Sequence, residues 1–124
     1  MSLVLDAGAL LAVERGHRDV VALIKQELLA GRVPLTHGGV VGQVWRGGRQ
    51  ARLATLLSGL HVWPLDERLG RQAGELLAAA RRADVVDAAL ALLASDGDSV
   101  LTSDPGDIAT LARAAGVHVD VVRV

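Results

Sequence analysis

DVVDAALALLASDGDSVLTSDPGDIATLARAAGVHVDVV, residues 84–122, carries the alternation that decides the fold. From Asp84 to Ala94 the residues are apolar except for acids in the first turn, where a helix dipole favours negative charge. Ser99 to Leu101 is a short aliphatic run of the kind found in buried parallel strands. Asp107 to Ala115 has helical spacing and is stopped by Gly116, after which Val117 to Val122 reads as a closing strand. Helix, strand, helix and strand in succession imply crossover connections between parallel strands.

The same alternation extends to the N-terminus. Ser2 to Leu5 reads as a strand stopping at Asp6, and Ala9 to Arg15 as a helix closed by Gly16. His17 to Ala30 places Val20, Val21, Leu23, Ile24, Leu28 and Leu29 at helical spacing, and Gly31 stops it. Val33 to Leu35 is the expected second strand. Gly39–Trp45 and Gln50–Leu57 read as two helices broken at Gly47-Gly48. Leu60–Trp63 is a third strand ended by Pro64, and Asp66 is placed to cap a helix running to about Arg82. The expectation is one α/β domain over residues 1–124, with a parallel sheet of four or five strands between helical layers.

Composition fits that reading and excludes others. The 124 residues are 51% hydrophobic, enough for a core, with no Phe or Tyr and only Trp45 and Trp63, which are expected to plug it. Aromatic platforms for stacking bases are therefore scarce, so a nucleic acid would be held mainly by its phosphates. A net charge of -1 gives no strong basic footprint, although Lys25 is the only lysine and the other cations are arginines. The absence of Cys excludes disulfides, thiolate zinc sites and cysteine nucleophiles. No apolar run approaches a membrane span and MSLVLDAG lacks a basic leader, so a cytoplasmic protein is expected, with no membrane partner.

In open α/β sheets the working site lies beyond the carboxyl ends of the strands. Asp6 follows the first strand and Asp104 the fourth, while Asp84 and Asp87 share one face at the start of a helix. Asp84 or Asp87, taken alone, could be a helix cap. Together with Asp6 and Asp104 they crowd like charges at one sheet edge, an arrangement that a hard divalent cation such as Mg²⁺ or Mn²⁺ explains. Such an ion can activate water against a phosphodiester, which suits a chain with no plausible nucleophile triad.

VLDAGAL at Val4–Leu10, T-x6-QVWRG at Thr36–Gly47, DVVDAALA at Asp84–Ala91 and TSDPGDI at Thr102–Ile108 resemble the PIN-domain toxins of the VapC type. The resemblance spans nearly the whole chain. It implies a three-layer α/β/α fold, a Mg²⁺- or Mn²⁺-dependent endoribonuclease acting on RNA, a homodimer, and inhibition by a cognate antitoxin. It makes Asp6, Asp87 and Asp104 the catalytic carboxylates, with Asp84 as a further metal candidate and Thr102 and Asp107 in support. The family usually has Glu where this chain has Gln43, so metal affinity should fall or the ion be held through water. Asp84 and Asp87 both match the third acidic position, with Asp87 slightly favoured.

Other residues have plainer readings beside functional ones. Arg46, Arg49 and Arg52 could track an RNA backbone but also fit a solvated helix face. His37 precedes the Gln43 helix and could touch the site. Glu14 reads as a surface or helix-end charge. A phospho-acceptor receiver domain would need a late lysine and an acceptor on the middle strand, and this chain has neither. The serious alternative keeps the fold and reads the chain as a catalytically weakened PIN domain acting as a binding module, because of Gln43.

Overall fold

The computed structural model describes all residues from Met1 to Val124. Five strands, β1 (Leu3–Leu5), β2 (Leu35–His37), β3 (His61–Trp63), β4 (Ser99–Thr102) and β5 (Asp120–Arg123), form one wholly parallel sheet in the order β3-β2-β1-β4-β5. Seven helices connect them: α1 (Ala7–Glu14), α2 (Arg18–Leu29), α3 (Gly38–Val44), α4 (Ala51–Ser58), α5 (Glu67–Ala80), α6 (Val85–Leu93) and α7 (Pro105–Ala115). Right-handed crossovers put α1–α4 on one face and α5–α7 on the other, because the chain reverses its direction across the sheet after β3. Helix α1 packs on α2, α3 and α4, while α5, α6 and α7 pack on one another. The result is the expected three-layer α/β/α domain.

Strand β1 is central, so Leu3, Val4 and Leu5 are all buried and no polar residue alternates with them. Helix α1 is apolar nearly all round because it is enclosed by the sheet and three helices, with Ala9, Leu10 and Val13 buried. A second apolar cluster, including Leu69, Ala73, Leu76, Ala88, Ala89 and Leu111, joins α5, α6 and α7. The small Ala88 and Ala89 let these helices approach closely, and aliphatic side chains fill the remaining volume.

Several expectations need correction. The second strand lies two residues later than Val33–Leu35: Val33 is exposed, and the pairing runs from Leu35, which stands opposite Val4. The tryptophans do not plug the core; Trp45 is 40% and Trp63 41% exposed. Leu5, Leu10, Leu53, Leu90 and Leu101 fill that space instead. Trp63 sits on the edge strand β3, where it stacks on His61 with ring centroids 4.1 Å apart. Arg46 and Arg49 belong to the loop between α3 and α4 rather than to a helix face. Arg46 donates to the carbonyls of Gly42, Gln43 and Trp45, so its guanidinium serves the open end of α3. Glu14 is a helix-end charge of another helix: its Oε2 accepts from the Leu53 N–H at 2.7 Å and caps α4, whose own N-cap Gln50 offers no side-chain bond. Asp66 caps α5 as expected, accepting from Leu69 N–H at 2.9 Å.

Candidate metal centre

The sheet order makes β1 and β4 neighbours at the point where the crossovers change direction, the place where open α/β sheets bind their ligands beyond the strand ends. Asp6 leaves β1 and Thr102 ends β4, so both sit at this switch point. Asp6 is 5% exposed and fully engaged with backbone: its Oδ1 accepts from Ala9 N–H at 3.0 Å, and its Oδ2 accepts from Ser103 N–H at 3.1 Å. One carboxylate therefore caps α1 and ties the β1 exit to the β4 exit.

That tie requires Gly8. A Cβ there would lie 2.6 Å from Ser103 Cβ and 3.1 Å from Ser103 N, so only glycine lets the first turn of α1 lie against the β4–α7 connection. Nothing in the sequence reading singled out Gly8 for this role; close approach between segments distant in sequence is visible only in three dimensions. Thr102 is fully buried, and its Oγ1 accepts from Asp104 N–H at 2.9 Å. Asp104 in turn accepts from Asp107 N–H at 3.5 Å and begins α7, with Pro105 at its first position. Thr36 donates to the Leu5 carbonyl at 2.8 Å and fixes β2 against β1 at the same edge.

Helix α6 brings the remaining acids. Asp84 Oδ1 accepts from Val86 N–H at 2.9 Å and from Asp87 N–H at 3.1 Å, so it is the N-cap of the helix. His37, buried at the end of β2, accepts from Gly39 N–H through Nδ1 and therefore carries its proton on Nε2, which donates to the Val86 carbonyl at 2.9 Å. It thus joins the α3 start to the residue preceding Asp87. Burial holds the imidazole below its ordinary 6.5, which keeps it neutral in this role.

The carboxylates of Asp87, Asp104 and Asp107 each offer an oxygen within 4.8 Å of the others. Ligands on opposite sides of a Mg²⁺ ion are about 4.2 Å apart, twice the usual bond length, so small side-chain adjustments would let this triplet embrace one ion. Asp87 feels the crowding most. Its carboxyl is pushed up from 3.8 to about 7, first by burial and then by Asp84, Asp6, Asp104 and Asp107. A carboxyl in that state takes up a proton or a cation readily, and the all-oxygen donor set suits a hard ion.

The structure thus draws Asp87, Asp104 and Asp107 into one triplet, so Asp107 stands closer to the centre than a supporting role implies. Asp6 and Asp84 flank it as backbone-tied acids near enough to act on Asp87. Gln43 is exposed on α3; its side chain makes no hydrogen bond, and its carbonyl accepts from Arg46. Arg82, which the sequence reading passed over, lies on the triplet's rim with Nε 3.2 Å from Asp107 Oδ1.

No family model and no curated protein matches the chain in sequence. Among solved structures, a chain of VapBC2 from Rickettsia felis, crystallised bound to a DNA fragment from their promoter, aligns over 98% of both chains with a TM-score of 0.65 and 13% identity. At that identity the likeness speaks to the fold alone: a chain of that complex shares this three-layer α/β/α architecture.

Proposed function

We propose that this chain is a Mg²⁺- or Mn²⁺-dependent endoribonuclease and the toxin of a toxin–antitoxin pair. The observation that carries the reading is the meeting of Asp87, Asp104 and Asp107, flanked by Asp6 and Asp84, at the switch point of a parallel sheet. Asp87, Asp104 and Asp107 would hold the cation directly. Asp6 fixes the two strand exits against each other, and Thr102 orients the Asp104 turn. A bound divalent ion supplies an activated water and offsets charge on the phosphodiester. Until it arrives, the elevated Asp87 carboxyl shares its site with a proton, so cation binding should weaken as pH falls below about 7.

The alternative of a binding module rested on Gln43. Three carboxylates meet at the site whatever Gln43 does, enough oxygen donors for a divalent ion, and this supports the catalytic reading. An antitoxin partner is supported by the likeness to a chain of a VapBC complex. A groove of about 800 Å³ between α2 and α4, lined by Val13, Val21, Ile24, Leu28 and Leu56 together with Arg18, Lys25 and Arg52, suits an amphipathic segment bearing acidic residues. Leu23, Leu28 and Leu29 are exposed on α2, which leaves apolar surface for a homodimer or for that partner. Arg49, exposed in the α3–α4 loop, remains a candidate contact for an RNA phosphate, whereas Arg46 is largely committed to α3.

The test is cleavage of single-stranded RNA by wild type and Asp104→Asn across a Mn²⁺ titration, with co-expression of the adjacent reading frame. Cleavage that needs Mn²⁺ and is lost in the variant is expected, as is co-purification with the neighbouring product. Metal-independent cleavage, or none at any Mn²⁺ concentration, would overturn the nuclease reading.

A further inference from the structure

Helix α5 ends in an unusual turn. Arg81 takes a left-handed conformation at φ 54, uncommon for a residue with a side chain, and the Arg82 N–H closes the turn on the Leu77 carbonyl at 3.1 Å. That geometry carries Arg82 from the end of α5 to the start of α7, where its guanidinium meets Asp107. It is the single ion pair made by any carboxylate of the triplet. The other ion-paired arginines, Arg32 and Arg71, are on Glu27 and Glu67, outside the acidic cluster.

We propose that Arg82 binds the phosphate of the RNA beside the metal centre, and that Asp107 holds it in reserve until the cation arrives. This rests on the nuclease reading above. Before metal binding, Arg82 partly offsets the crowded acids. With a divalent ion held by Asp87, Asp104 and Asp107, Arg82 would lose its hold on Asp107, because two cations would compete for one carboxylate. The side chains of the pair are 39% and 42% exposed, so the guanidinium can swing outward without breaking a packed core. The phosphodiester that approaches the ion brings the negative charge that Arg82 has just lost, and a planar guanidinium can grip two phosphate oxygens at once.

The two halves of this exchange give effects of opposite sign. Removing Arg82 takes away a competitor for the metal and a partner for the substrate. Arg82→Gln should therefore bind Mn²⁺ alone about 3–10-fold more tightly, because one fewer positive charge stands beside the ion. The same variant should raise KM for a fluorescein-labelled single-stranded RNA about 10-fold at saturating Mn²⁺, with kcat within about twofold of wild type. Arg82→Lys keeps the charge but not the fork, so its Mn²⁺ affinity should stay near wild type and its KM fall between the two. Electron paramagnetic resonance of free Mn²⁺ reads the first effect, and steady-state cleavage reads the second. An ion pair that only joins α5 to α7 would leave KM unmoved or weaken Mn²⁺ binding in Arg82→Gln, and either result overturns the proposal. Wild type that binds Mn²⁺ and cuts RNA while Arg82→Gln behaves identically refutes this inference alone. Wild type that binds no Mn²⁺ and cuts nothing removes the nuclease reading and this inference together.

Discussion

Replacing Asp87 by Asn should stabilise the metal-free protein at pH 8. In the fold its carboxyl is pushed from 3.8 up to about 7, by burial first and then by Asp84, Asp6, Asp104 and Asp107. Between those values the folded state keeps a proton that the unfolded chain has released. The contribution to stability is therefore complete below pH 3.8, declines as pH rises, and is gone above about 7. Taken in full, a shift of that size is worth about 4 kcal/mol at neutral pH and above. Asp87 is only half-buried, so solvent screening leaves roughly 2 kcal/mol. Asn has a similar shape and never ionises. The variant should exceed wild type by about 2 kcal/mol at pH 8 and by less than half of that at pH 5. In a chain of this size the pH 8 difference corresponds to a rise of roughly 6–8 °C in Tm. Scanning calorimetry in EDTA at the two pH values measures it. Added Mn²⁺ should stabilise wild type but not the variant, because the ion would lose a ligand. Equal melting temperatures at pH 8, or a gap that does not shrink at pH 5, would refute the idea that the surrounding acids act on Asp87.

Three further outcomes follow from named contacts. Gly8→Ala should cost about 1–3 kcal/mol by forcing Ser103 away from α1, and should lower Mn²⁺ affinity by loosening Asp6 from the β4 exit; calorimetry and a Mn²⁺ titration check both. His37→Ser keeps a cap for Gly39 but loses the bond to the Val86 carbonyl, a cost of about 1–3 kcal/mol at neutral pH. Because burial lowers the His37 pKa, wild type loses stability as pH falls below 6.5 through the folded value, and the Ser variant should lack that share of the loss when urea midpoints at pH 7.5 and 5.5 are compared. Gln43→Glu should lower the Mn²⁺ concentration for half-maximal RNA cleavage by about 10-fold; an unchanged midpoint would mean that the exposed Gln43 side chain points away from the triplet.

The sequence by itself determined the layers and the sheet edge that carries the acids. Periodicity in residues 84–122 and the glycine stops at Gly16, Gly31 and Gly116 define the alternation, and each of those glycines takes a positive φ. Asp6 and Asp104 were legible because each follows a short strand run, and Asp84 because it opens an apolar helix, all features local in the chain; that Asp6 and Asp104 also cap α1 and α7 emerged only in the fold. What spacing could not decide was which acids come together in one cluster. Asp107 meets Asp87, twenty residues earlier in the chain, only because β4 lies beside β1 and α6 packs on α7. Long-range partnerships are equally silent in a linear reading. Glu14 capping α4, Gly8 lying on Ser103, His37 reaching Val86 and Arg82 resting on Asp107 all join segments that meet only after the crossovers close. The tryptophans went astray for the same reason: size predicts burial on average, but β3 ends at the edge of the sheet, where no neighbouring strand covers Trp63.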